Sequence, residues 1–325
     1  MGLRHPPKEQ KTARTFVKML VLLVLAGAVG VAVWAVSVDS RVDLVEDLTV
    51  ESLDLDPQTF TIAQDLSIHV VDLSVGTLPV VLIHDIDVSG GVVFDQLAPL
   101  IEGDLRAVTL DLPGFGLSER LPFESELHTA GAMAGVVADV IRDRYGMPVV
   151  LLGVGFGGQV AAEVAVTRPE AVSGLVMVDV DFWQAGGWRE RAQQLPFIAH
   201  AMTFTYETSG SRALTAWAPY CAEGGWCPTQ DQIAKRQLTA TIAGSTDSIY
   251  AFRRTPPASF VPSDLEQITM PVAYVWSLKG AVPRESVERI KADLPDMVIY
   301  DIDAWMAHVE APETVLEAIR AVAGG

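Results

Sequence analysis

The chain has 325 residues, half of them hydrophobic and a fifth charged, which excludes wholesale disorder and collagen-like low complexity. Its formal net charge is -18, and phosphate binding needs a basic face, so a nucleic-acid partner is excluded too. Two cysteines are too few for a disulfide-rich scaffold or, unaided, for a structural zinc site.

Residues 1–18 form a basic segment, with Arg4, Lys8, Lys11, Arg14 and Lys18 against a single acid, Glu9. Met19 to Val38 then run 20 residues without a charge. At about 1.5 Å per helical residue this run is roughly 30 Å long, the thickness of a bilayer's hydrocarbon core. It predicts a transmembrane signal-anchor helix over residues 19–38, whose first partner is the lipid bilayer. The basic flank before it, with Asp39, Asp43, Glu46 and Asp47 after it, predicts a cytoplasmic N-terminus and an extracytoplasmic main domain. Ala26-Gly27-Ala28 has the look of a signal-peptide cleavage site. Cutting there would leave Val29–Val38 as an apolar new terminus, so the anchor is expected to stay. Beyond the span lie 18 of the 23 basic residues and 40 of the 41 acidic ones, an excess that suits solubility and repulsion from anionic headgroups. Residues 39–58 read as an acidic linker or stalk, with a strand or part of an interface as the alternatives.

From residue 59 strand-like and helix-like segments alternate, the pattern of a mainly parallel sheet covered on both faces. Thr59–Ala63 and Leu66–Leu73 read as an opening antiparallel pair, and Pro79–His84 and Ala107–Leu110 as short strands, the first of them buried. His128–Tyr145 repeats apolar residues at helical spacing and stops at Gly146. Pro148–Val154 is a continuous apolar strand, followed by a helix at Gln159–Thr167 and strands at Gly174–Val180 and Val272–Trp276. A last helix starts near Pro312. These place an α/β core over 59–183 and 270–325. Residues 184–269 show no strand signal, are rich in Trp, Ala, Gln and Pro, and read as a helical cap with helices at Trp188–His200 and Thr229–Ala243. Within the cap, Cys221 and Cys227 flank a short loop in an oxidising compartment, where a disulfide is expected and two free thiols are the alternative. No nucleotide loop, haem motif or metal-ligand spacing appears, so no cofactor is expected.

Five motifs occur in order. They are the strand ending at His84; Asp111-Leu-Pro-Gly-Phe-Gly-Leu-Ser118; the strand, tight turn and helix at 148–167; Arg168-Pro-Glu-Ala-Val172 before Gly174-Leu-Val-Met-Val-Asp179; and Val309-Glu-Ala-Pro-Glu313. Together, over residues 59–323, they resemble the α/β-hydrolase fold superfamily in its capped form, the pattern of epoxide hydrolases and haloalkane dehalogenases. The resemblance implies a nucleophile at the centre of Gly-x-Ser-x-Gly, on a strained turn that aims it into the pocket. Here the pentapeptide is Gly153-Val154-Gly155-Phe156-Gly157, and Gly155 has no side chain to attack with. The family's base falls five residues before Glu310, on Trp305, whose indole nitrogen is only a donor. The orienting acid falls in Trp276-Ser-Leu-Lys-Gly280-Ala-Val-Pro283, on Gly280. The oxyanion-hole His-Gly is replaced by His84-Asp85, with backbone donors expected from Ile86 and Phe156 beside an opposing carboxylate.

All three catalytic positions are therefore degenerate, and nucleophile and base act as a unit, so losing either removes most of the covalent route. The favoured expectation is a catalytically inactive pseudoenzyme acting in binding or assembly with a membrane-protein partner. It is similar in logic to the N-myc downstream-regulated family, where the elbow serine is also absent. Two alternatives stand beside it: a capped pocket that binds a small apolar ligand or lipid, and an active serine-type or displaced-triad hydrolase of esters. For the last, His308 and Asp181 are the candidate displaced residues, while His308 and Asp179 each read more simply as structural groups. Because Trp305 adds volume where Gly155 and Gly280 remove it, its indole is expected to lie across Gly155 and shrink the pocket. Trp183, Trp188, Trp217 and Trp226 read as cap core, ligand wall or docking patch.

Overall fold

Strands built of uninterrupted apolar residues need cover on both faces. In the computed structural model, which describes residues 8–122, 124–183, 198–205, 226–254 and 265–324, that cover is present. The sheet has eight strands: β1 (Phe60–Ala63), β2 (Leu66–Asp72), β3 (Leu78–Ile83), β4 (Leu105–Leu110), β5 (Val149–Val154), β6 (Val172–Val178), β7 (Val272–Ser277) and β8 (Val298–Ile302). Their spatial order is β1-β2-β4-β3-β5-β6-β7-β8. β1 pairs antiparallel with β2, and β2 with β4, while every later pairing is parallel. β5 and β7 are buried along their whole lengths. This is the α/β-hydrolase architecture, with β5 near the centre of the sheet.

One face of the sheet is covered by α2 (Ala130–Arg144) and α3 (Phe156–Thr167), whose Val136, Val140, Val160 and Val164 join Val81, Leu151 and Met177 in one core. The other face is covered by the C-terminal helix Pro312–Ala323, whose Val315, Ile319 and Val322 pack with Val150, Leu152 and Val176. The elements outside the sequence reading include the edge strand β8, the helix at Arg284–Asp293 and, in the cap, the helix at Ser245–Arg254. Helix α3 also begins at Phe156, three residues before the predicted start at Gln159.

Helix α1 runs from Lys8 to Val45, longer at both ends than the predicted span. Its Phe16–Val38 portion, 23 residues with a mean hydropathy of 2.7, is long and apolar enough to cross a bilayer. Side chains from Phe16 to Trp34 are exposed, whereas Ala35, Val38 and Val42 are buried against Ala201 and Phe204. Ala201 lies on the short cap helix α4 (Ile198–Thr203). After α1 the chain stays on the cap: Leu48 forms a parallel bridge with Ile242, donating to the Thr241 carbonyl at 3.1 Å and accepting from Ala243 at 2.8 Å. The described cap also contains α5 (Gln230–Ala240) and α6 (Ser245–Arg254). Thr229 caps α5 in a reciprocal capping box with Gln232. Most of the helix expected at 188–200 lies outside the described residues.

Candidate functional site

The turn from β5 into α3 positions the site. Gly155 stands there with φ +52° and ψ -117°, a conformation that costs an L side chain energy and costs glycine almost none. Gly157 is required for a different reason: a Cβ there would lie 2.3 Å from the Ile83 carbonyl oxygen, so only glycine lets α3 sit this close to β3. The elbow backbone is thus fully formed, with a glycine at its centre.

What fills the nucleophile's place is Asp85. A Cβ built on Gly155 would meet the Asp85 Cγ at 2.5 Å and both carboxylate oxygens at 2.6 Å. Asp85 Oδ1 accepts the Phe156 N–H at 2.8 Å. That N–H, at the N-terminus of α3, is the donor that the family resemblance assigns to an oxyanion. A carboxylate there satisfies the donor and completes the helix end electrostatically. The expectation that the Trp305 indole closes the space over Gly155 is not met. The nearest atoms are those of Asp85, and a cavity of about 550 Å³ remains open with Gly155 and Trp305 both in its wall. The space over Gly155 is taken up by a side chain from the loop after β3.

The cavity lies between the carboxyl ends of the strands and the cap, where open α/β sheets generally bind ligands. Its floor includes Asp85, Gly155, Gln159, Asp179 and Asp181, and its cap side includes Trp226, Gln232, Ile233, Arg236 and Arg253. Gly280, Trp305 and His308 also line it, as do Ile86 and Phe156. Asp87 forms an ion pair with Arg236 of α5, which ties the β3 loop to the cap. Burial alone would raise the Asp87 pKa, but the guanidinium and the Ser89 hydrogen bonds hold it down to about 2.

The displaced-triad candidates do not meet. Asp181 accepts the Trp183 N–H at 3.0 Å and its carbonyl accepts Gln159 Nε2 at 2.8 Å. His308 is buried, packs against Phe94 with ring centroids 6.1 Å apart, and its Nδ1 has no hydrogen-bond partner. His84 is structural: its Nε2 accepts the Leu112 N–H at 3.0 Å while Nδ1 faces the Asp85 carbonyl. Asp179 accepts from Ser277 through its N–H at 2.7 Å and its hydroxyl at 2.6 Å. Glu310 caps the turn under the would-be base, accepting from Trp305 and Met306 backbone N–H groups at 3.0 Å each. Trp226 lines the cavity, Trp183 stacks under Arg289 at 3.9 Å, and Trp188, Trp217 and Cys221 lie outside the described residues. The roles of Gln159, Arg236 and Arg253 were not apparent in the sequence, because nothing in their local spacing links a cap helix to the β3 loop.

Two buried groups give a pH signature. Burial and the nearby Asp85 charge push Asp179 up to about 6, although its Ser277 hydrogen bonds oppose this. Burial pushes His308 down to about 4, against the pull of Asp87. The native state therefore binds the Asp179 proton more tightly than the unfolded chain does, and stability falls as pH rises from about 4 through 6. His308 acts oppositely, losing stability as pH falls from about 6.5 to 4. The Asp179→Asn variant should remove only the first effect. Its stability relative to wild type is expected to be about 2–3 kcal/mol better at pH 7 than at pH 4, read by urea denaturation at each pH. A pH-independent difference would show that Asp179 titrates normally.

A model of the alpha/beta hydrolase family matches residues 80–318. The chain belongs to that family. Among curated proteins it is similar to the uncharacterized hydrolase YugF of Bacillus subtilis, with 22% identity over 70% of this chain and 83% of the relative. It is also similar to haloalkane dehalogenase 2 of Mycobacterium tuberculosis, with 24% identity over 78% and 90%. Among solved structures, the enol-lactonase of Burkholderia xenovorans superposes with a TM-score of 0.65 at 10% identity, covering 80% of this chain and 99% of its own. A bacterial membrane phospholipase A superposes with a TM-score of 0.63 at 19% identity, covering 96% and 98%. At these identities the structures establish the fold.

Proposed function

We propose that the protein is a membrane-anchored, catalytically inactive member of the family, with residues 1–18 cytoplasmic, the main domain extracytoplasmic, and a capped cavity that binds a small, largely apolar ligand. The observation that carries this reading is the Asp85 carboxylate seated at the elbow on the Phe156 N–H. Any acyl-transfer oxyanion needs that donor, and a carboxylate in its place repels the charge to be stabilised. Neither Gly155 nor Trp305 can restore attack or proton transfer. The open cavity favours ligand binding over the filled-pocket form, in which an outer surface docks to a membrane protein. The Cys221–Cys227 disulfide stays in the proposal as a closure of the cap loop.

The test is full-length protein in detergent micelles, offered a series of p-nitrophenyl esters and a serine-reactive fluorophosphonate. Turnover at the buffer rate and no labelling are expected, and ester turnover abolished by Asp85→Asn would overturn the reading. One observation favours a second reading: Asp85 Oδ1 is anchored at the helix N-terminus and Asp85 lines the cavity, as a displaced carboxylate nucleophile would. Such a group would attack an alkyl halide, forming an ester on Asp85 and releasing halide. An intact-mass gain of one alkyl group after treatment with 1-chlorohexane, absent in Asp85→Asn, would select that reading.

A further inference from the structure

Helix α1 changes character at Ala35. From Phe16 to Trp34 its side chains are exposed all round, as apolar residues on a helix surrounded by lipid would be. From Ala35 onward one stripe is covered: Ala35, Val38 and Val42, at helical spacing, are 3%, 5% and 8% exposed and cluster with Ala201 and Phe204 of the cap. Ala35 and Val38 belong to the apolar portion Phe16–Val38 itself. From Phe16 to Ala35 the helix rises roughly 28 Å at about 1.5 Å per residue. A bilayer's hydrocarbon core is about 30 Å thick, with a headgroup layer of several Å beyond it on each side. Cover on α1 thus begins where the hydrocarbon ends.

Two neighbouring residues mark the same level. Trp34 is 37% exposed one position before the covered stripe, and tryptophan rings favour the boundary between tails and headgroups. Arg41 is exposed about one turn beyond Val38, within reach of lipid phosphates. What packs on Ala35 and Val38 must lie at the depth of Ala35 and Val38. Ala201 is on α4, and Phe204 follows its last residue, Thr203. On its other side α4 meets α6: His200 Nε2 pairs with Asp247 at 3.0 Å, and the His200 ring stands edge-on to Tyr250 with centroids 5.4 Å apart. Arg253, also on α6, lines the cavity. Outer end of α1, α4, α6 and cavity therefore follow one another in that order.

We propose that the cap rests in the extracytoplasmic headgroup layer, with α4 at the level where α1 leaves the hydrocarbon, so that the bilayer is a partner of the domain itself and not only of its anchor. Apolar contact holds this seat, not attraction of charge. The chain beyond the span carries 40 of the 41 acidic residues against 18 of the 23 basic ones, which suits a zwitterionic surface and opposes an anionic one. This placement rests on the membrane-anchored reading above, and it deepens that reading by setting the cavity one helix away from a reservoir of apolar ligands.

The experiment puts the full-length protein in phosphatidylcholine nanodiscs with a trace of the same lipid bearing a photoreactive diazirine at the glycerol end of one acyl chain. After irradiation, lipid adducts are mapped by peptide mass spectrometry. They are expected on α1 between Phe16 and Val38 and on the peptide carrying α4. The α4 yield should be at least about tenfold above that on α2 and on the C-terminal helix, which cover the two faces of the sheet. High salt should leave the α4 yield unchanged, because ions screen only charge attraction. Adducts on α1 with no more on α4 than on α2 would show the cap standing clear of the bilayer, overturning the proposal and leaving the anchor in place. An α4 yield lost at high salt would overturn the apolar seat. Adducts on neither α1 nor α4 overturn the proposal and the membrane-anchored reading together.

Discussion

Replacing Gly155 by alanine is expected to cost the fold about 3 kcal/mol, and removing the Asp85 carboxylate from the same protein is expected to return part of that loss. The backbone contribution comes from φ +52°, where an L side chain costs about 1–2 kcal/mol. The rest comes from contact: the new Cβ would lie 2.5 Å from the Asp85 Cγ, far inside van der Waals separation. Asp85 must then swing away and abandon the Phe156 N–H, a partly buried donor whose loss costs about another 1–3 kcal/mol. Asp85→Ala alone loses only that hydrogen bond. In the double variant the clash has no partner, so the two losses should sum to about 1–2 kcal/mol more than the double variant shows. Urea denaturation followed by tryptophan fluorescence measures all three. Additive losses would mean that Asp85 does not occupy the elbow, and the main structural argument against hydrolysis would go with it.

The parts of this molecule written as local pattern were legible before any coordinates. Pro148–Val154 is an unbroken apolar run because both its faces are buried, and Gly153, Gly155 and Gly157 mark the turn after it because backbone crowds backbone there. Edge strand β8 left no such mark: Val298–Ile302 is half exposed and carries Asp301, so its pattern is neither continuous nor cleanly alternating. Helix α6 was hidden because Ser245-Thr-Asp-Ser opens with residues that favour caps and turns. The motifs could place the family's three positions on Gly155, Gly280 and Trp305, but not what lies over Gly155. Trp305 was the natural candidate on volume; Asp85 won because a carboxylate can also satisfy the Phe156 N–H. That choice rests on two residues 71 positions apart meeting across the β3–β5 pairing, which spacing along the chain does not encode. The role of Glu46 was not legible for a similar reason, since nothing along the chain links it to Gly244 and Thr246.

Glu46 is instead the strap between helix α1 and the cap, and Glu46→Ala is expected to loosen the cap by about 3 kcal/mol while leaving the sheet intact. The side chain is 6% exposed. It accepts from the Gly244 N–H at 2.9 Å, the Thr246 N–H at 2.9 Å and the Thr246 hydroxyl. These backbone donors belong to the residue before α6 and to its first turn, so Glu46 acts as a helix cap from 198 to 200 positions earlier in the chain. Burial raises its pKa against those same hydrogen bonds, the mark of a carboxylate kept out of water by the elements it joins. Alanine would strand two backbone donors at about 1–3 kcal/mol each, less what water recovers on entry. Glutamine keeps one acceptor and should lose about half as much. Hydrogen exchange in micelles separates the local from the global effect: amides at 241–254 should lose protection, while those of β5 and β7 should not. Unchanged protection at 241–254 would mean that the Leu48–Ile242 bridge and the apolar contact of Val38 and Val42 with Ala201 and Phe204 hold the cap without Glu46. Because Arg253 of α6 lines the cavity, a loosened α6 should also weaken whatever the cavity binds. On this expectation, pocket affinity and the seating of α1 on the cap are coupled through one carboxylate that lies eight residues beyond the apolar span.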